Sequence, residues 1–303
     1  DSIGTWNNGI FHLDNDNNTG QIISNGIITG IVNYNGKIIY STWDGRIGYL
    51  DYENEVADEP VKLMSNIYAL KLAKDDNLFI CGKGRVKVVK LKKDLFDNAI
   101  FIQCSDVNIP SEFKETEILS MGEWRDEENA TIHFLFGTYK KGIIRCIFGL
   151  DGVKWDRLLE EENVPIIEDA YGKLFISIGN LVLEYEGGEF CTLDFMREQV
   201  LDVKFVAGDF KRVLGQETFE FKPGEKEFLV VSGAVSGLTV YDLKNNKSLS
   251  LRIFAKKIDI DKNEERFIPN FEIDKNPPDK PYFKIIAAEE YANEIRVWKI
   301  GIY

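Results

Sequence analysis

A short apolar run, a tight turn and a second apolar run recur seven times along this chain, and that repetition limits the possible folds more than any other feature. The clearest copy runs from Lys37 to Trp43, turns at Asp44-Gly45 and continues from Arg46 to Asp51. An Asp-Gly pair between two such runs marks a hairpin, because glycine accepts the positive φ that the tight turn demands. The unit returns at Asn77 to Leu91, Thr131 to Phe148, Lys173 to Tyr185, Glu227 to Leu243 and Phe283 to Ile300, and a shorter copy from Gly4 to Asp14 opens the chain. The second strands begin near Gly9, Arg46, Arg85, Gly142, Asn180, Gly237 and Glu294, at intervals of 37, 39, 57, 38, 57 and 57 residues. The three long intervals predict insertions around residues 92–130, 207–226 and 255–282 that leave the repeat as loops or extra strands.

Between hairpins lie two further short apolar runs, such as Pro60 to Met64 and Ile67 to Leu72. Four strands per period make the blade of a propeller, a small twisted sheet that must stack on its neighbours to bury its faces. No helix-length amphipathic stripe competes with this pattern. The expectation is therefore an all-β chain, a β-propeller of four-stranded blades spanning residues 1–303 as a single domain. Counting periods predicts seven blades. The alternative is six, with Gly20 to Asn25 as the closing strand and residues 1–14 as an appendage. Alternation along the strands places Ile39, Phe79, Phe134, Phe175 and Val230 between blades.

These features resemble the WD-repeat family. Tyr241-Asp242, Leu50-Asp51, Leu13-Asp14 and Val297-Trp298-Lys299 stand where that family closes a strand with Trp-Asp, and Ser232-Gly233-Ala234-Val235-Ser236-Gly237 is similar to its Ser-Gly-x-x-x-Gly hairpin. The family's recurrent Gly-His has no counterpart, since the chain's two histidines are His12 and His133. The ending from Ile286 to Trp298 is similar to the last blade of the WD-type diphthine methylesterases, although Glu289-Glu290 replaces that family's Ser-Phe, and no catalytic residue carries over.

A formal charge of −13 argues against nucleic acid as a partner, because phosphate binding needs a concentrated excess of Lys and Arg. No window approaches the roughly 18 apolar residues of a membrane span. The start Asp1-Ser2-Ile3-Gly4-Thr5-Trp6 has no signal-peptide pattern, and an initial Asp points to trimmed upstream residues, so a cytoplasmic protein is expected. Cys81, Cys104, Cys146 and Cys191 form no CxxC pair, and each is expected to behave as a small buried hydrophobe. Two distant histidines do not supply the converging donors of a metal site. Asp14 to Gly20 and Asp259 to Asn263 match only the opening of a calcium loop, lacking its glycine and closing glutamate. No metal, cofactor or catalytic residue is therefore assigned.

One feature points to binding. The turns joining the central strands of successive blades gather at one rim, which predicts that Trp43, Asp44, Arg46, Lys83, Lys140, Lys141 and Asn293 form a protein-interaction surface. Trp43 has two readings, an exposed anchor or a ring wedged between blades. The expected function is a non-catalytic scaffold for protein partners, and the alternative is a propeller enzyme of the diphthine methylesterase type acting on a modified protein.

Overall fold

The computed structural model describes all residues except 1, 6–8, 14–18, 24–25, 36, 52–55, 58–59, 94–98, 151, 162–164, 196–198, 214–215, 223, 234–236, 246, 252–270, 275–281, 290–293 and 302–303. Among the described residues the regular structure is antiparallel strand, with two single-turn 3₁₀ segments at Lys74–Asp76 and Ser111–Phe113. The chain divides into two compact units, Asp1–Pro165 and Ile166–Tyr303.

The first unit opens with a three-stranded sheet of β1 (Ser2–Thr5), β2 (Gly9–Leu13) and β3 (Thr19–Ile23). The first blade follows with β4 (Ile28–Tyr34), β5 (Lys37–Thr42) and β6 (Arg46–Asp51). Its fourth strand is broken into β7 (Val56–Ala57) and β8 (Val61–Lys62), both paired with β6. The second blade is β9 (Ala69–Leu72), β10 (Asn77–Gly82), β11 (Arg85–Lys93) and β12 (Ala99–Val107), each strand beside the next. The third blade is β13 (Ile118–Asp126), β14 (Thr131–Thr138), β15 (Gly142–Gly149) and β16 (Gly152–Leu159).

The second unit holds a fourth blade of β17 (Ile166–Ala170), β18 (Lys173–Ile178), β19 (Leu181–Glu186) and β20 (Glu189–Phe195). In the fifth blade β21 (Val200–Val213) runs past its neighbour and turns into β22 (Gln216–Phe221), followed by β23 (Lys226–Gly233), β24 (Gly237–Asp242) and β25 (Lys247–Leu251). A three-stranded sheet of β26 (Phe271–Asp274), β27 (Tyr282–Glu289) and β28 (Glu294–Gly301) follows.

The expected number of blades, seven or alternatively six, is corrected to five four-stranded blades among the described residues. Hairpin counting overshoots because it scores every hairpin as a blade, and those beginning near Gly9 and Glu294 belong to sheets of three strands. The six-bladed alternative fails on β3, which pairs with β2 inside the opening sheet. The insertion expected at 92–130 is also corrected, since that stretch supplies β12 and β13 to two successive blades. The 207–226 stretch does form an extra strand, β22. Most of the 255–282 stretch lies outside the described residues, as does the Asp259 to Asn263 segment.

Burial explains why the second strand of each blade reads as an unbroken apolar run. Alternate residues of a strand point to opposite faces. In β10, Leu78 and Ile80 enter a core shared with the first blade (Ile39, Ile47, Ile67), while Phe79 and Cys81 enter another shared with the third (Phe134, Phe136, Ile144). Both faces are covered, so apolar residues occupy consecutive positions. Ile38 and Tyr40 on β5 likewise face Ile10, opposite Ile39, and in the second unit Phe175 packs with Phe205, Leu229 and Val231. Ile39, Phe79, Phe134, Phe175 and Val230 are all buried. The cysteines divide. Cys81 and Cys146 are buried, whereas Cys104 and Cys191 are exposed because β12 and β20 are edge strands, which corrects the expectation of burial for those two.

Candidate functional site

Three central hairpins of the first unit turn where the sequence places them, between Thr42 and Arg46, between Gly82 and Arg85, and between Thr138 and Gly142. The first two tips are held by the chain segment that leads on to the next blade. Leu63 and Met64 donate their N–H groups to the Gly45 carbonyl at 2.9 and 3.3 Å, and Asn66 Nδ2 donates to the Trp43 carbonyl at 3.0 Å. Gly84 N–H donates to the Thr116 carbonyl at 2.7 Å, and Lys83 bridges Glu117. Behind the tips, Trp43 N–H reaches the Ile27 carbonyl at 2.8 Å and Tyr139 N–H the Glu117 carbonyl at 2.9 Å.

The turn glycines are required by this clamping. Gly84 has φ +55°, and an added Cβ would lie 1.6 Å from the Lys114 carbonyl oxygen; Gly45, at φ +88°, would meet the Met64 carbonyl at 2.0 Å. Gly142 repeats the arrangement under Leu159. A side chain at these positions would push off the connector as well as strain the backbone. The threonine that ends the second strand adds a local tie, with Thr138 Oγ1 donating to the Gly142 carbonyl at 2.8 Å and Thr42 Oγ1 donating to Asp44 Oδ1 at 2.6 Å.

The tips are linked to one another. The Trp43 indole meets the Tyr68 ring edge-on at 4.9 Å between centroids, and Tyr68 donates its hydroxyl to Glu117 Oε1 at 3.4 Å. Glu117 is the residue whose backbone holds Tyr139, and Lys140 Nζ lies over the Tyr139 ring at 5.0 Å. A line of side-chain and backbone contacts therefore runs from the first tip across the second to the third. Trp43 is 38% exposed and Tyr139 44%, so both present aromatic surface on a rigid turn. Trp43 is thus neither fully free nor wedged in a core; one side of its ring leans on Tyr68.

Charges at the tips are largely answered. Arg46 Nε binds Asp44 Oδ2 at 2.9 Å, and the Thr42 hydroxyl together with Arg46 holds the Asp44 carboxyl below its usual value. Lys83 pairs with Glu115 at 3.3 Å. Burial, reinforced by the Glu117 carboxylate, raises the Tyr68 hydroxyl and keeps it a donor. Lys140 and Lys141 are exposed, with no ion pair among the described residues.

Of the residues expected on this rim, Trp43, Asp44, Arg46, Lys83, Lys140 and Lys141 occupy these three tips, and Asn293 lies outside the described residues. Sequence reasoning missed Tyr68, Glu117 and Tyr139. Tyr139 had a signal: Gly137-Thr138-Tyr139 matches Ser41-Thr42-Trp43, a small residue, threonine and an aromatic at the end of a second strand. Tyr68 sits in the Ile67 to Leu72 run and Glu117 just before β13, both outside the repeated hairpin, where no turn pattern marks them.

A scan against protein-family models finds no family that matches the chain, and a search of the curated proteins finds no relative. The sheets of the described residues are those of a β-propeller with five four-stranded blades, and with no matching family the resemblances to WD-repeat proteins and to diphthine methylesterases are corrected accordingly. The Tyr241-Asp242 pair has a local explanation. Asp242 accepts from Asn245 N–H at 3.0 Å and from its Nδ2 at 2.7 Å, which locks the β24–β25 turn, and Asp126 does the same with Asn129 between β13 and β14. A turn lock therefore accounts for Asp242, which imitates a Trp-Asp ending; the Asp-x-x-Asn spacing recurs in the sequence at Asp14 and Asp51, where the turns lie outside the described residues. No helix among the described residues is long and apolar enough to cross a membrane.

Proposed function

We propose that the chain is a non-catalytic interaction scaffold that engages protein partners through the rim bearing Trp43 and Tyr139. The observation that carries this reading is the pair of half-exposed aromatic rings on turns whose backbone is already fixed by the connectors. Aromatic anchors dominate binding hot spots, and a pre-ordered backbone loses little further entropy when a partner docks. Affinity capture from the native cell, followed by titration of the purified partner, tests it. Trp43→Ala and Tyr139→Ala should each weaken binding by at least about 30-fold, the value of a hot spot worth roughly 2 kcal/mol. Unchanged affinity in both variants, or losses that only track a fall in thermal midpoint, would defeat the reading.

A further inference from the structure

From the charge left over on this rim we infer that its partner presents an acidic linear segment carrying an apolar anchor. The inference rests on the scaffold reading and adds the chemistry of the segment. The three tips, residues 43–46, 83–85 and 139–141, carry Arg46, Lys83, Arg85, Lys140 and Lys141 against Asp44, in a chain of net charge −13. Exposed charges act over about 8 Å at physiological ionic strength, so a docking segment responds to the tips rather than to the whole molecule.

The anions close to the tips are mostly engaged. Asp44 is ion-paired with Arg46, Glu115 with Lys83 and Glu160 with Arg157 at 3.0 Å; Glu117 accepts from the neutral Tyr68 hydroxyl and keeps its charge, and Glu161 is engaged too. Arg85 is paired with Asp106 at 3.7 Å. What remains for a newcomer is the ammonium pair of Lys140 and Lys141 beside the Tyr139 ring, one end of the line that starts at Trp43. An apolar side chain on Trp43 and carboxylates on Lys140 and Lys141 would use both ends, whereas a basic segment would meet two ammonium groups that have no ion-pair partner among the described residues.

The test uses the whole chain and fluorescence anisotropy against labelled short peptides in acidic, neutral and basic sets, each with and without a central Trp or Leu. The acidic peptides with an anchor should bind best, and binding should fall by about tenfold or more in Lys140→Glu/Lys141→Glu, a loss of about 1.4 kcal/mol. The conservative pair Lys140→Arg/Lys141→Arg should retain affinity, and Trp43→Ala should lose it for anchored peptides alone. Neutral or basic peptides binding better, with sensitivity to Trp43→Ala but none to the lysine reversal, would overturn the acidic partner while leaving the scaffold reading intact. Acidic peptides that bind equally to all variants would overturn the inference and the rim together. Circular dichroism and the thermal midpoint of each variant separate a lost site from a lost fold.

Discussion

Cys81 and Cys146 show how one residue type meets opposite environments in a repeat. Both lie in the core between the second and third blades, and burial pushes both thiols up to about 12, with the Asp156 carboxylate adding to the effect at Cys146. The thiolate is the reactive form, so these two are inert in the folded protein. Intact-mass analysis after alkylation should show labels at Cys104 and Cys191 alone under native conditions, and at all four cysteines once the chain is denatured. Sequence reading could not separate them, because an apolar run on an edge strand looks like one on a central strand.

His133 makes stability depend on pH. It is buried on β14, edge-on to Trp124 at 4.9 Å and within 3.1 Å of Thr131 Oγ1, and burial, aided by repulsion from Arg145, holds its pKa below the usual value. Below about pH 6.5 the unfolded chain takes up a proton that the folded imidazole resists. Stability is therefore undiminished by this group at neutral pH and falls as the pH drops through the unfolded value towards the lower, folded one. Urea midpoints compared at about pH 7 and about pH 5.5 should fall less in His133→Gln than in the parent, since the two pH values straddle the ordinary histidine titration. An equal drop in both proteins would remove His133 from the account.

Elements are joined by devices that the sequence does not advertise. The turn between β9 and β10 places Asp75 and Asp76 at φ 65° and 58°, a conformation that costs energy outside glycine, and docks against β13 of the next blade. There Glu123, buried, accepts from Lys74 N–H at 3.0 Å and from Arg125 Nε, while Arg125 also binds Asp75 at 2.7 Å. Removing the guanidinium leaves a buried carboxylate short of a partner, so Arg125→Met should cost about 2–4 kcal/mol in chemical denaturation. Asp75→Ala, on the exposed side of the same ion pair, should cost less than about 1 kcal/mol. Equal costs would mean that the buried carboxylate is not what the arginine serves.

The connectors are the second such device. Gly84 and Gly187 share a left-handed backbone, φ +55° and +60°, but a Cβ on Gly187 would meet nothing within 4 Å, whereas one on Gly84 would collide with Lys114. Gly187→Ala should cost about 1 kcal/mol of backbone strain, and Gly84→Ala clearly more by thermal denaturation. Equal costs would show that the connector does not clamp the tip. The hairpins themselves were legible because Asp-Gly, Lys-Gly and Lys-Lys-Gly turns interrupt apolar runs at fixed offsets. The connectors were not, since their contacts are made by backbone carbonyls, which any residue supplies.

At the scale of the molecule, the sequence conveyed the blade and misjudged how many there are. Period counting sees hairpins, and it cannot see that the first blade's outer strand is split into β7 and β8, that β21 carries an additional strand, or that the terminal hairpins stand in sheets of three. The rim was half legible for a similar reason. Its tips belong to the repeat, and the Tyr68 and Glu117 links between them belong to the connectors. Three hairpin tips and their connectors form one rigid surface on which Trp43 and Tyr139 are displayed. Native-state amide hydrogen exchange tests this directly, because protection reports how often a hydrogen bond opens. The amides of Trp43, Leu63, Gly84 and Tyr139, each donating to a carbonyl beyond its own hairpin, should exchange as slowly as those of the buried strand β10. Exchange as fast as in the exposed turn at Glu127 to Ala130 would contradict the claim.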